Sequence, residues 1–423
     1  MAGTETRSRA VWALLAVLVA VGLWNAARYP PGNGYDASHH LVYATGLVEH
    51  GSIPGKETRG EYYSPPGFYA VAGAAWWVGK QLGLGEPARL ALALNVLYQL
   101  ATALLLLALV RELWPRRPVL HLAALGFFAF LPVTTKAAAM FHPEPLDLLV
   151  ATAGLYLGAR MLNRRAFGAR AALATGVVFG VGMLVRQFTA YTAAAVGVAF
   201  LATRSQEALR ALALVVLAAV VVAGPWYVRQ AVRYSNPVFA QESSVAKPLL
   251  ERRPASFYVG TGLPQSFTEP WRPHFVNRAV PTTYSELWGD YFGAFAWDGR
   301  GTPSSAERTT LRAQNGLGVL PTLLALAGWL ALLAVSLRRL DPPRLAVALV
   351  PLFGFLGYAY FVIAYPTPDG DVLKATYMLT TATAWAAAFG LAVERLARRR
   401  VAAWGLAAVL VLSAAVDLRF LVY

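Results

Sequence analysis

"ARLALALNVLYQLATALLLLALVRELWPRR", residues 88–117, decides the class of fold. After Arg89 the next charged side chain is Arg111, and Arg116 and Arg117 follow closely. An uncharged apolar run of about 20 residues is what a helix needs to cross the hydrocarbon of a bilayer. Backbone groups in lipid have no water to bond, so such a run closes its hydrogen bonds internally, as an α-helix. The three arginines then mark the end that stays on the positively charged side of the membrane.

The pattern recurs along the chain. Apolar runs cover residues 10–28, 89–110, 119–135, 145–162, 171–186, 188–203, 209–228, 315–337, 345–364, 374–394 and 401–418. With 57% hydrophobic residues among 423, the chain reads as an all-α integral membrane protein of about eleven spans. The strand alternation of a membrane barrel is absent. Arginine clusters occupy alternate connections: Arg111 to Arg117, Arg160 to Arg170, Arg204 and Arg210, Arg338 to Arg344, and Arg395 to Arg400. With Arg7 and Arg9 they put eighteen basic residues on one side against five acidic ones. The formal charge of +15 is therefore mostly a topology signal, not a nucleic-acid footprint. It puts the N-terminus inside and the C-terminus outside. Arg7 and Arg9 before an apolar run also fit a signal peptide, but "WNAARY" is a poor cleavage site and a retained first helix is expected. No cysteine is present, which excludes disulfides, thiolate metal sites and cysteine nucleophiles.

The inside connections are all short. No cytoplasmic nucleotide-binding domain and no glycine-rich phosphate loop is visible. Two segments on the outer side are long: 29–88, and roughly 229–314 between the two transmembrane modules 1–228 and 315–423. The first opens with "GYDASHHLVYATGLVEHGSIP", residues 34–54. Asp36 can cap a helix that ends at Gly51, with Leu41, Ala44 and Val48 on its apolar face, suited to lying in the interface. A second short, aromatic-rich helix starts on Pro65 and Pro66, which suit a first turn. The 229–314 segment is rich in Pro, Trp and Tyr, so loops and short helices are expected there.

Seven stretches then fall in a telling order: "YDASHHLVYATGLVEHGSIP", "YYSPPGFYAV", "ARLALALNVLYQL", "FHPEPLDLLVATAGLYLGARML", "LVRQFTA", "PWYVRQAVRYSNPVF" and "DVLKATYML". This ordered set resembles the GT-C glycosyltransferases that use polyprenyl-phosphate sugars, such as protein O-mannosyltransferases and aminoarabinose transferases. Two positions depart from many relatives: Ser64 stands where a basic residue or histidine is common, and Ala375 and Thr376 where an arginine is. The resemblance implies a membrane-embedded isoprenoid-phosphate sugar as donor, inversion at the anomeric carbon, and Asp36 as general base. It implies an acceptor that is a glycan, a lipid or a protein.

The residues can be weighed separately. One carboxylate suffices to take the proton of an attacking hydroxyl, whereas retention would ask for a second as nucleophile. A polyprenyl phosphate leaves as a stabilised anion, so no strong general acid is required. For Asp36 the plain alternative is a helix cap. Lys374, at the outer edge of a span, fits the donor phosphate or snorkels to the interface. Arg186 at an outer span end needs protein or phosphate around it, and an ion pair with Glu144 or Asp147 is the plain alternative. His142 is a further candidate for the phosphate. Glu144, Tyr63, Tyr377 and His39 are candidates for contacts to substrate. Neither a metal nor another cofactor is expected. Glu286, Asp290 and Asp298 read as solvated loop carboxylates.

The expectation is an inverting glycosyltransferase at the outer face of a bacterial cytoplasmic membrane. A ligase or polymerase of lipid-linked glycans is one alternative, and a transporter or flippase another. Against the latter, the spans show almost no charge at mid-membrane.

Overall fold

The structure, a computed structural model, describes residues 2–58, 61–238, 247–275, 278–297, 302–367 and 372–423. Among these residues the chain is helical, with no strand. The helices are α1 (Ala2–Arg28), α2 (Ala37–His50), α3 (Gly67–Gln81), α4 (Arg89–Leu113), α5 (Pro118–Phe130), α6 (Pro132–Ala139), α7 (Glu144–Arg164), α8 (Ala169–Val185), α9 (Thr189–Ala202) and α10 (Gln206–Tyr234). The short helices α11 (Leu249–Arg252), α12 (Ala255–Val259), α13 (Gln265–Thr268) and α14 (Ala279–Trp288) follow. The chain closes with α15 (Ser305–Leu317), α16 (Val319–Arg339), α17 (Pro342–Ala364), a 3₁₀ segment (Ala375–Thr381), α18 (Ala382–Leu396) and α19 (Arg400–Leu421).

Each apolar run read in the sequence is covered by a helix. Among the described residues, eight helical stretches are long and apolar enough to cross a membrane, and nine if α5 and α6 form one broken span; α8 and α9 are apolar but shorter. The surface shows why lipid is the solvent. Val221 is 66% and Trp404 79% exposed, while Thr102 and Thr383 are fully buried. That is the reverse of a water-soluble helix, whose polar face looks outward.

Three boundaries differ from the sequence reading. The run expected as one span at 119–135 is broken, α5 and α6 meeting at 49°. Pro132 is the cause, since it cannot donate to the preceding turn. The long segment after α10 is not loop as far as residue 314, because the polar helix α15 begins at Ser305 behind a complete capping box of Ser304 and Glu307. Such a cap is worth about 1 kcal/mol, and the signature was readable in the sequence. Finally, α10 continues past residue 228 to Tyr234.

The arginine clusters gather at one end of the bundle. There Arg164 bonds Glu112, Arg117 bonds Glu394, and Arg344 donates to the carbonyl of Leu113. The opposite end carries α2, α3 and the segment between α10 and α15. The terminus of α19 is tied there too, Trp24 Nε1 donating to the carbonyl of Tyr423 at 2.8 Å.

Candidate active site

The site is built where α1 gives way to α2. Asp36 occupies the N-cap position of α2 with φ 50° and ψ 15°, and its side chain makes no capping bond. The plain capping role is thus not what the carboxylate does. Its left-handed backbone is tolerated by Asp better than by most residues. The side chain turns instead to Lys374, with Oδ2 accepting from Nζ at 2.7 Å. The Lys374 side chain is only 10% exposed, that of Asp36 41%. The Lys374 ammonium holds the Asp36 carboxyl well below the usual carboxylate range, overcoming the opposing effect of its partial burial. Lys374 Nζ also lies 5.3 Å from the centre of the Tyr35 ring.

Behind this pair lies a sealed second cluster. Arg186, at the junction of α8 and α9, bonds Glu144 Oε1 at 3.2 Å and Ser64 Oγ at 3.0 Å, and meets Glu61 Oε2 at 3.5 Å. All four residues are buried. The ion pair with Glu144 is one of the alternatives read from sequence; Asp147 instead accepts from Thr189 at 2.5 Å. His142 is buried against the other oxygen of Glu144. Burial alone would raise the Glu61 carboxyl; His40 and Arg186 outweigh it and hold the group below its ordinary value. Ser64 also donates to Glu61 Oε2 at 2.6 Å, so this departure from the family pattern is built into the cluster. Gly67 allows the closeness, since a Cβ there would sit 2.7 Å from the backbone oxygen of Leu184.

The inward side of α2 carries His40 as well as part of the apolar face read in the sequence. Ala37, His40, Tyr43 and Ala44 are buried, while Leu41 and Val48 are only partly so. His40, not the exposed His39, therefore enters the site. Its Nδ1 lies 2.8 Å from Tyr69 Oη. Burial pushes the His40 ring down to about 4, against the pull of Glu61 and Asp36. Tyr63 donates to Glu61 Oε1 at 3.1 Å. Tyr377 packs on Phe188 and Phe361, with ring centres 5.1 and 5.2 Å away.

A third cluster was not legible. Lys136, in the short helix α6, is fully buried, as are Glu286 and Asp290. Its Nζ reaches Glu286 Oε2 at 3.1 Å and Asp290 Oδ1 at 3.5 Å. Tyr35 donates to the same Glu286 oxygen and lies 3.4 Å from Lys136 Nζ. Asp290 Oδ2 accepts from the backbone of Phe295 and Ala296. Burial pushes the Asp290 carboxyl up to about 6, against the pull of Lys136 and with the repulsion of Glu286. The reading of Glu286 and Asp290 as solvated is therefore corrected. A lysine inside "LPVTTKAAAM" was the available signal, because a buried ammonium needs a partner. Asp298 lies outside the described residues. Among the described residues no three His, Asp or Glu side chains group as a metal-ligand set.

The backbone that carries these clusters has known counterparts. The structure of ArnT from Cupriavidus metallidurans in the apo state superposes with a TM-score of 0.53 at 17% identity, over 96% of this chain and 62% of that one. The archaeal oligosaccharyltransferase AglB from Archaeoglobus fulgidus, in complex with an inhibitory peptide and a dolichol-phosphate, gives 0.55 at 12% identity, over 98% and 56%. The chain has the GT-C fold. It spans about three fifths of the length of these GT-C structures. A family model, dolichyl-phosphate-mannose-protein mannosyltransferase, matches residues 71–228. That stretch holds His142, Glu144 and Arg186 but neither Asp36 nor Lys374. The family match is confined to that stretch, and the likeness to the solved structures is one of fold. No curated protein sequence matches the chain.

Proposed function

We propose that this protein is an inverting glycosyltransferase that moves a sugar from a polyprenyl phosphate to an acceptor hydroxyl at the outer face of the cytoplasmic membrane. The observation that carries the reading is the contact of Asp36 with Lys374, residues 338 positions apart. It joins one carboxylate base and one cation at a single, half-open point. The family match and the structural neighbours agree with this chemistry: ArnT has also been solved bound to undecaprenyl phosphate, and AglB with a dolichol-phosphate.

In the proposed reaction the acceptor oxygen attacks the anomeric carbon opposite the phosphate. The carbon–oxygen bond to phosphate breaks and the hydroxyl proton passes to Asp36. Paired with Lys374, Asp36 is a weak base. A donor phosphate competes for the Lys374 ammonium, which frees the carboxylate as it neutralises the leaving group. Arg186 and His142 are enclosed by Glu144 and Glu61, so their proposed part is to hold the α2–α3 segment and its charge in place behind the donor. Tyr63, Tyr377 and Glu144 line the same region.

An apolar groove of about 180 Å³ between α16, α17 and the 375–381 segment includes Leu326, Phe355, Met378 and Trp385. Phe355 is 60% exposed, so the groove opens toward lipid. It begins one residue after Lys374, where a polyprenyl chain would leave its phosphate. Eleven spans with the arginine-bearing end inside would put Asp36 outside.

The test is transfer or release of label from a panel of polyprenyl-phosphate sugars by the purified chain, with a diphosphate-linked oligosaccharide as a further donor. Turnover by wild type and not by Asp36→Asn is expected. Equal turnover by that variant would remove Asp36 as base.

A further inference from the structure

A second cavity, of about 1260 Å³, opens at the arginine-bearing end. The parallel helices α16 and α18 touch at Gly328, where a Cβ would fall 1.9 Å from the backbone oxygen of Ala388. The cavity runs along the seam from this crossing. One wall is a strip of α16 that includes Ala327, Ala331 and Val335. The charged groups in the rest of the lining are mostly cationic, with Arg117, Arg344, Arg395, Arg398 and Arg399, Arg339 at the end of α16, and the single carboxylate Glu394.

Two of these arginines are answered: Arg117 by Glu394 at 3.0 Å and Arg344 by Asp341 at 2.5 Å. Even so, Arg344 Nε is buried without a partner among the described residues. Arg339, Arg395, Arg398 and Arg399 have no carboxylate partner among the described residues. Orienting the protein in the membrane requires cations at this end. It does not require them to converge on a concavity whose facing wall is hydrocarbon. A soluble anion has no use for the α16 strip, and an acyl chain none for the arginines. An anionic amphiphile uses both, and basic pockets between helices on the cytoplasmic side are suited to lipid headgroups.

We infer that this cavity binds an anionic phospholipid, its phosphodiester among Arg339, Arg395, Arg398 and Arg399 and its acyl chain along Ala331 and Val335. The site is independent of the Asp36 chemistry at the other end of the bundle.

The test uses the full chain in phosphatidylcholine nanodiscs doped with phosphatidylglycerol, counting retained phosphatidylglycerol by native mass spectrometry. Losing two headgroup arginines in R395Q/R398Q weakens retention by roughly tenfold or more. A331W fills the apolar wall with every charge kept, and V335W is a second filler at an exposed position; both are expected to lose the lipid. R170Q/R210Q removes the same charge from the same end outside the cavity and retains it. Equal loss in R170Q/R210Q would show diffuse attraction and overturn the proposal. So would full retention by both fillers. Displacement of the lipid by millimolar glycerol 1-phosphate would identify a soluble-anion site and overturn it as well.

Discussion

Two lysines at the same end of the bundle meet carboxylates in opposite ways. Lys136 is fully buried with Glu286 and Asp290, and Tyr35 completes the seal. Lys374 holds Asp36, whose side chain is 41% exposed. Tyr35 touches both arrangements, 6.0 Å from Lys136 Nζ and 5.3 Å from Lys374 Nζ measured to its ring centre. The sealed cluster has no route to a ligand, so its charge serves to anchor the 279–297 segment to α6. The open pair can exchange its partner, which is what a donor phosphate would demand. Sealed charges should govern stability, and the open pair turnover.

The largest expected effect tests the sealed side. Lys136→Met leaves two buried carboxylates without their cation and should cost about 3–5 kcal/mol, read as a lower unfolding midpoint in detergent. A midpoint unchanged from wild type would mean that the cluster is open to water after all. Next comes the open side. Asp36→Asn, which keeps a residue tolerant of left-handed backbone, should lower transfer by roughly 10²–10⁴-fold with little change in midpoint. If instead the midpoint falls as much as for Lys136→Met, the comparison collapses. Lys374→Ala should weaken donor binding about tenfold and let the Asp36 carboxyl rise toward its ordinary range, which moves the acidic limb of the rate profile to higher pH. An unchanged acidic limb would separate the two side chains.

A smaller effect concerns pH. The folded-state value of Asp290 is raised to about 6, so between its unfolded value and 6 the folded state binds more protons. Its contribution to stability is present at low pH and is lost as pH rises through 6. Asp290→Asn should flatten that part of the stability profile, and an identical slope in the variant would refute the assignment. Smallest of all, His39→Ala should leave transfer and stability within error, because α2 turns His40 inward. A clear loss of transfer would put His39 back in the site.

How much of this was legible depends on how local the cause is. Apolar runs predict helices because the lipid constraint acts on each run separately, and every run has its helix. Gly51 ends α2 as read, with φ 62°. The break at Pro132 and the cap at Ser304 are local signals as well. The phase of α2 was not local. Leu41, Ala44 and Val48 mark the apolar face in the sequence, but only the contact with α3 and the neighbouring His142 shows that His40 is buried beside them. The ion pairs of Glu61 with Arg186 and of Lys136 with Glu286 are not local either, since each joins residues far apart along the chain. Glu286 is 150 residues from Lys136.

Composition and charge order thus determine by themselves that the chain is a helical membrane protein whose basic connections share one side, because solvation by lipid and the sorting of arginines act segment by segment. The ordered motifs single out Asp36 and Lys374 separately. Only the tertiary structure decides that these two meet at 2.7 Å while Arg186, Lys136 and their carboxylates are shut away. Which charge stays open is set by desolvation, and desolvation depends on the packing of helices that are distant in sequence.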